Sequence, residues 1–305
     1  FCNDPHQDIS CLPAVWYEAV IETPVLWLMG ATVPGGPVFA SGWNRNVAWG
    51  ATFATADEED LFVEDCRAGR FLRDDKWHPF SVRREKLRTR DGNEVTAGFF
   101  ENENGCLRGN PHVTGRYLIR RWGGSAAIAG SSIAGMIALN TARDLEEGLS
   151  AIGSIRLPSL NWVLCDSSGR IGRRMNGAVP RRRGDVSGLL PIPAWKTEIG
   201  WDGLLDVNRF PSEKDPRSGI IVAANQRVGG TDSPQTMAAS SDRADRIHQL
   251  LQAVRRQSSG VLTEYDMVAI QNDVYSLRAD RVLGFLSDHL ESHHLGRRLL
   301  DWDRC

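Results

Sequence analysis

Two apolar segments end in residues that could polarise a carbonyl group. Asn225 ends an apolar run that begins at Gly219, and its side chain either caps a strand or donates an amide N–H to a developing negative charge. Thr52 and Phe53 follow a Trp-Gly pair at the end of another apolar strand, where a backbone N–H can point into a cleft. The Phe53 side chain fits a hydrophobic core in either case. Asn225 is therefore a candidate oxyanion donor, with strand capping as the alternative.

Two clusters of charged residues each have two interpretations. The run Asp57-Glu58-Glu59-Asp60 supplies clustered oxygens that suit a hard cation such as calcium, but a short acidic loop can also be merely solvated. Residues 170–183 include six arginines, which either grip an anionic ligand or form a solvated hairpin rim. His6, considered alone, is typical of a buried histidine whose nitrogens are hydrogen-bonded.

Composition and missing motifs exclude several function classes. Lys and Arg total 36 against 38 for Asp and Glu, so no nucleic-acid footprint is present, and no apolar run is long enough to span a bilayer. The chain lacks a phosphate-binding loop, a G-x-S-x-G elbow, an H-E-x-x-H pair and a C-x-x-C pair. Cys66 and Cys106 flank a polar segment, and they either remain free thiols or form a disulfide bond that closes this segment. The balanced charge favours a small-molecule partner. We expect no organic cofactor.

The elements that must carry these residues predict an α+β fold. Turn signals predict hairpins around residues 91–93 and 166–169, and residues 66–125 suggest a peripheral β layer. Two helices are expected within residues 126–152, the second beginning near Thr141. A further strand is expected at residues 218–225, a helix at 243–256, and another helix capped by Thr263 that continues to Leu277. This order of strands and helices argues against a doubly wound parallel sheet.

Several sequence blocks occur in an order typical of one enzyme family. The N-terminal blocks are Asn3-Asp4-Pro5-His6, Trp16-Tyr17-Glu18, Gly30-Ala31-Thr32-Val33-Pro34-Gly35-Gly36-Pro37, Gly42-Trp43-Asn44-Arg45-Asn46-Val47-Ala48-Trp49-Gly50-Ala51-Thr52 and Asp57-x-x-Asp60-Leu61-Phe62. The later blocks are Asn161-Trp162-Val163, Asp166-x-x-Gly169-x-Ile171-Gly172, Gly177-x-x-Pro180, Trp201-x-Gly203, Asp215-Pro216-x-x-Gly219 through Ala224-Asn225, Arg243-x-x-Arg246-Ile247 and Ile270-Gln271-x-Asp273. Together they resemble the penicillin acylase family, the N-terminal-nucleophile amidohydrolases that include penicillin, cephalosporin and acyl-homoserine-lactone acylases. The resemblance covers residues 1 to about 285 and is weakest over residues 66–125.

The resemblance implies a fold and a reaction. The fold is a four-layer αββα sandwich, and the reaction is hydrolysis of a small linear amide through a seryl acyl-enzyme whose base is the nucleophile's own α-amino group. By the family's spacing, the serine is expected about twenty residues before His6, so residues 1–305 are expected to be an incomplete β chain that is inactive alone. The resemblance further implies an α-chain partner from the same precursor and a periplasmic or secreted location.

The resemblance also assigns roles to individual residues. The Phe53 N–H and Asn225 become oxyanion donors, Arg243 supports Asn225, and His6 orients the nucleophile's amino group. The substrate-binding positions are Gln7, Ser41 and Ala51, and the calcium ligands are Asp57, Asp60 and Asp232. Gln7, Arg173 and Arg174 replace residues that are usually apolar or aromatic, which leaves the acyl specificity open.

Two alternatives to an acylase remain at this point. The first is a non-catalytic relative that keeps the fold and binds a ligand without turnover. The second is an unrelated, calcium-stabilised binding domain, which predicts that Phe53 and Asn225 lie far apart.

Overall fold

The computed structural model describes residues 1–305 apart from 4–9, 11–14, 231–232 and 258–259. The strands are β1 (Tyr17–Glu22), β2 (Trp27–Thr32), β3 (Ser41–Asn44), β4 (Val47–Phe53), β5 (Glu59–Arg67), β6 (Arg70–Arg73), β7 (Lys76–Pro79), β8 (Ser81–Arg88), β9 (Glu94–Asn102), β10 (Gly105–Arg108), β11 (Gly115–Trp122), β12 (Leu160–Asp166), β13 (Ile171–Met175), β14 (Pro180–Arg183), β15 (Ile192–Pro193), β16 (Gly200–Leu204) and β17 (Ser212–Lys214). The helices are α1 (Ala126–Asn140), α2 (Leu145–Ser154), α3 (Asp242–Gln257), α4 (Glu264–Gln271), α5 (Leu277–Glu291) and α6 (His294–Leu300), and Val207–Arg209 forms a 3-10 turn.

The chain divides into two compact units. Unit 1 takes residues 1–55, 130–176 and 210–305, and unit 2 takes residues 56–129 and 177–209. Each has its own sheet, and the strand pairs are antiparallel except for β5 with β15. The mixture of helices and antiparallel sheets agrees with the predicted α+β class. Within the described part of the chain, no helix is both long and apolar enough to cross a bilayer.

The sheet of unit 1 buries one face against helices. Its seven strands run in the order β1-β2-β3-β4-β12-β13-β17. Alternate residues of the central strands enter one core, Val47 and Trp49 from β4 with Trp162 and Leu164 from β12, because side chains alternate between the faces of a strand. The helices α1 and α2 contribute Leu139, Leu145, Leu149 and Ile152 to this core. This packing fixes β4 and therefore the position of Phe53 at its end.

The helical region after residue 125 follows the prediction, with one boundary shifted. Two helices are present, but α2 begins at Leu145 because Asp144 caps it, accepting a hydrogen bond from the Glu147 N–H at 2.8 Å. The predicted hairpin at residues 166–169 joins β12 to β13, and the one at residues 91–93 joins β8 to β9. Strong local turn and cap signals are therefore reproduced in the fold.

Residues 218–225 do not form the strand that their apolar sequence predicted. The backbone takes a φ of +65° at both Gly219 and Asn225, which an extended strand does not contain. The Gln226 side chain also accepts from the Ala224 N–H at 2.6 Å and donates to the Val222 carbonyl at 2.9 Å. These local bonds take the place of a sheet ladder, so Asn225 belongs to an irregular loop.

The helix predicted from Thr263 to Leu277 is two helices. Thr263 caps α4 as expected, in a capping box with Asp266. The helix ends at Gln271, and Ser276 then caps α5 by accepting a hydrogen bond from the Ala279 N–H at 3.2 Å. The second cap divides an apolar pattern that looked continuous in the sequence.

Unit 2 contains a second sheet around an aromatic core and a buried ion pair. Its main path is β7-β6-β5-β11-β10-β9-β8, with β15 beside β5, while β14 and β16 form a separate pair. Glu64 is fully buried, and both of its carboxylate oxygens accept from Arg73 at 2.6 Å. The predicted β layer of residues 66–125 lies within this unit, which extends further to include residues 177–209. Cys66 and Cys106 form no disulfide.

Candidate functional site

Phe53 occupies the end of β4, and its backbone direction follows from the strand register. The N–H of Ala54 donates to the Ser159 carbonyl at 3.1 Å, on the side of β12. Because successive N–H groups point to opposite sides of a strand, the N–H of Phe53 points away from β12, toward the side of β3. The last β3–β4 partners in this direction are Gly42 and Trp49. Phe53 therefore extends past the end of β3, where none of the described strand residues pairs with its N–H. Its side chain is 56% exposed, so the expected core position of this side chain is wrong.

Asn225 lies directly beside Phe53. Its Nδ2 donates a hydrogen bond to the Phe53 carbonyl oxygen, with a distance of 2.9 Å between residues 172 positions apart in sequence. The φ of +65° turns the Asn225 backbone sharply, and asparagine is one of the few non-glycine residues that tolerate this conformation. The hypothesis of an unrelated, calcium-stabilised binding domain predicted that Phe53 and Asn225 lie far apart, and it is therefore wrong.

Arg243, in the first turn of α3, fixes the orientation of the Asn225 amide. Its Nη2 donates to Asn225 Oδ1 at 2.6 Å and to the Ala224 carbonyl at 3.0 Å. A guanidinium group can only donate, so the amide oxygen must face Arg243 and the amide nitrogen must face Phe53. The amide of Asn225 is thereby held as a hydrogen-bond donor toward the end of β4.

One cavity in unit 1 brings together the predicted catalytic and substrate-binding residues that the structure describes. It has a volume of about 1300 Å³, and its lining includes Ser41, Ala51, Phe53, Asn225 and Arg243. Apolar side chains provide much of the remaining wall, among them Val33, Val38, Met136, Ile220, Leu250 and Met267. His6 and Gln7 lie outside the described residues. The walls are mostly apolar and also carry charged side chains such as Arg246 and Glu264, a mixture that suits a small molecule with an apolar and a polar part.

Three polar residues of this cavity were missed in the sequence. Asn3 Oδ1 accepts a hydrogen bond from Ser41 Oγ at 2.8 Å, and its side chain lies so close to Gly50 that a Cβ there would be 2.5 Å from Asn3 Cγ. The cross-strand neighbours Thr52 and Asn161 have buried side-chain polar atoms without a hydrogen-bond partner in the described part of the chain. The one available signal was a glycine inside an apolar strand, which often marks a close approach by another group.

The acidic pair of the calcium prediction lies in unit 2, where an arginine bridges it. Arg182 Nη2 contacts Asp57 Oδ2 at 2.9 Å, and Arg182 Nε contacts Asp60 Oδ2 at 2.8 Å. The Trp201 indole N–H also donates to Asp60. Burial raises the pKa of Asp57, and the neighbouring guanidinium opposes that shift by favouring the carboxylate. Arg182 belongs to the arginine-rich segment, but its side chain is only 13% exposed and does not form a solvated rim.

These contacts do not fit a calcium site. Calcium takes six to eight oxygen ligands, whereas the positive guanidinium already lies between the two carboxylates. Within the described residues, no group of three or more His, Cys, Asp or Glu side chains could hold a metal ion. Asp232, the third predicted ligand, lies outside the described residues. Calcium binding by Asp57 and Asp60 therefore stays a prediction that their observed contacts do not support.

Comparison with known proteins decides the family. The family model described as Penicillin amidase matches residues 1–305. The chain belongs to the penicillin amidase family. A structural match to the thermostable penicillin G acylase from Alcaligenes faecalis has a TM-score of 0.77 at 20% identity, over 92% of this chain and 50% of that one. At this identity, the structural match supports the fold alone.

The similar curated proteins carry acylase names. Acyl-homoserine lactone acylase QuiP from Pseudomonas aeruginosa is 30% identical over 290 residues, covering 88% of this chain and 34% of the relative. Penicillin acylase 2 proenzyme from a Pseudomonas species is 29% identical over 319 residues, covering 99% of this chain and 39% of the relative. Penicillin G acylase from Escherichia coli is 27% identical over 236 residues, covering 75% and 26%. The chain thus spans about a third of the length of these relatives.

Proposed function

We propose that the complete protein containing this chain hydrolyses linear carboxamides, with the Phe53 N–H and the Asn225 side-chain amide as oxyanion donors. The observation that carries this proposal is the contact of Asn225 with both Phe53 and Arg243 in a member of the penicillin amidase family. Donors that are fixed before the reaction stabilise the charge that develops on the carbonyl oxygen, because no further reorganisation is needed.

The proposed reaction requires a serine outside this sequence. Its hydroxyl oxygen attacks the amide carbon while its proton passes to the serine's own α-amino group, and the carbonyl oxygen becomes the oxyanion. That proton then moves to the leaving amine as the C–N bond breaks, which leaves an acyl ester. Water hydrolyses the ester to a carboxylic acid and regenerates the serine. Asn225 and Phe53 serve both steps, since an oxyanion forms in each.

The substrate classes proposed here come from the named relatives, the cavity and, for cephalosporins, the family resemblance alone. Penicillins, cephalosporins and N-acyl-homoserine lactones each place an exocyclic amide between an acyl chain and a polar ring. An apolar cavity of about 1300 Å³ can accept an acyl chain, with Ser41 and Ala51 on its wall. We further propose an α-chain partner, a four-layer αββα sandwich for the complete protein, and export from the cytoplasm.

The test compares the complete protein with its Asn225→Gly variant. Glycine tolerates the φ of +65°, so the substitution removes the amide without straining the backbone. Release of amine from an N-acyl-homoserine lactone and from a penicillin is measured under steady-state conditions. We expect kcat to fall about 10²–10³-fold in the variant. A wild-type protein that binds these amides without turnover would instead support the non-catalytic relative.

A further inference from the structure

The two proposed oxyanion donors lie on separate elements, and residues 233–239 contact both of these elements. On the β4 side, the Thr236 N–H donates to the Thr55 carbonyl at 3.3 Å. On the loop side, the Ala239 N–H donates to the Asn225 carbonyl at 2.8 Å. This segment therefore contacts the chain just beyond Phe53 and also the backbone of Asn225 itself.

Gln235 is the side chain that joins the two elements. Its Nε2 donates to the Ala54 carbonyl at 2.7 Å and to the Gln226 carbonyl at 3.3 Å. Its Oε1 accepts from the Val228 N–H at 2.7 Å and from Ser233 Oγ at 3.3 Å. The residue is 1% exposed, so a lost bond is not replaced by bulk water. One amide thus links the residue after Phe53 to the residue after Asn225.

We propose that Gln235 is a positioning residue that sets the distance between the Phe53 N–H and the Asn225 amide. This inference rests on the proposed function, because positioning matters only if both groups serve one oxyanion. Both donors must lie about 2.7–3.1 Å from the same oxygen, so a small displacement of one element weakens the pair. Gln235 does not line the cavity, so it acts through the backbone carbonyls of Ala54 and Gln226.

The experiment uses the complete protein and a matched control. Gln235→Met keeps the length of the side chain and removes all four hydrogen bonds. The control Asn44→Leu removes a similarly buried amide at the other end of β4, where Asn44 donates to the Asn140 and Ala142 carbonyls and accepts from the N–H groups of Asn46 and Val47. Thermal midpoint, kcat and KM are measured for both variants.

We expect both variants to lose stability, but only Gln235→Met to lose turnover. A kcat reduced about tenfold with KM unchanged within about twofold indicates an interaction needed in the transition state. If Gln235→Met does not fold, Gln235→Glu is measured instead, because it keeps the length and the acceptor for Val228 but loses the amide donor to Ala54. Gln235→Glu should likewise show a reduced kcat with an almost unchanged KM.

Two results separate this inference from the proposed function. A wild-type protein without amidase activity, or an Asn225→Gly variant with full activity, would overturn the proposed function and this inference with it. If Asn225→Gly is impaired but the Gln235 variant keeps its kcat and resembles Asn44→Leu, then Gln235 is only structural. In that case the positioning role alone is overturned.

Discussion

In each unit of the molecule an arginine binds oxygen atoms of residues that were predicted from the sequence to be functional, Arg243 in unit 1 and Arg182 in unit 2, but the two arginines lie in different surroundings. In unit 1, Arg243 is exposed and holds the neutral amide of Asn225 at the edge of a cavity. In unit 2, the Arg182 side chain is 13% exposed and lies between the carboxylates of Asp57 and Asp60. The same side-chain chemistry therefore orients a donor in one unit and neutralises buried charge in the other.

The two arginines differ in which hydrogen-bonding groups of their partners they leave available to a ligand. The Asn225 oxygen accepts from Arg243, and one N–H of its amide nitrogen donates to the Phe53 carbonyl, so the second N–H is the donor that can serve an incoming group. The oxygens of Asp60 are occupied by Arg182 and Trp201 and leave little for a ligand. We therefore expect loss of Arg243 to affect turnover and loss of Arg182 to affect folding.

The largest effect is expected from Arg182→Ala. Removing one partner of a buried ion pair leaves the other charges uncompensated, which typically costs about 3–5 kcal/mol of unfolding free energy. Asp57 and Asp60 would both lose their cation, and the side chain of Asp60 is fully buried. Urea unfolding followed by tryptophan fluorescence measures the change, because Trp201 lies against Asp60.

The neighbouring Arg181 provides the control for Arg182. It forms an ion pair with Asp202 in which the two side chains are 58% and 36% exposed. Such surface pairs contribute about 0–1 kcal/mol, so Arg181→Ala should unfold almost as the wild type does. Equal losses of stability in the two variants would show that burial does not distinguish these arginines.

A smaller effect, on turnover instead of stability, is expected from Arg243→Ala. The variant loses the hydrogen bonds that orient Asn225, and a bond to a charged group contributes about 1.5–3 kcal/mol, or roughly 10–100-fold in kcat. The thermal midpoint should change little because Arg243 is exposed. Steady-state hydrolysis of an amide substrate by the complete protein measures the loss.

Arg255 on the same helix is the matched control for Arg243. Its Nη1 donates to the Ser218 carbonyl at 2.6 Å, so it also bonds an irregular loop but makes no contact with Asn225. Arg255→Ala should retain nearly the wild-type kcat. If Arg243→Ala also retains full turnover while Asn225→Gly is impaired, then Asn225 is oriented by its other contacts alone.

Local signals predicted much of unit 1 from the sequence. The turn at Asp166 and the cap at Thr263 are set by side chains that bond the backbone within a few residues, and both appear where expected. The strand predicted from the apolar run before Asn225 is wrong, because the tertiary setting of this run and its hydrogen bonds to the Gln226 side chain override its strand propensity. A short apolar segment therefore does not by itself predict backbone conformation.

Long-range contacts could not be deduced from spacing. Asp60 and Arg182 are 122 positions apart, and Gln235 and Ala54 are 181 positions apart, so neither pair leaves a local pattern. The family resemblance placed Asn225 and Phe53 in one site, but it carried no information on Gln235 or Arg182. Both residues became visible only when the fold brought their partners together.

The smallest effect is expected from calcium on the wild-type protein. A ligand that binds only the folded state, at a hundred times its Kd, stabilises that state by about 2.7 kcal/mol. We expect no such gain, because the guanidinium of Arg182 already lies between Asp57 and Asp60, offsets one of their two negative charges and would repel a second cation. Thermal melts of the complete protein in calcium and in chelator should therefore coincide.

In Arg182→Gln the carboxylates lose their cation, so calcium should raise the lowered midpoint, and adding Asp57→Asn and Asp60→Asn should abolish that rise. A clear calcium-dependent rise of the thermal midpoint in the wild type would show that calcium displaces the Arg182 guanidinium from the two carboxylates. It would support the calcium ligands predicted from the sequence.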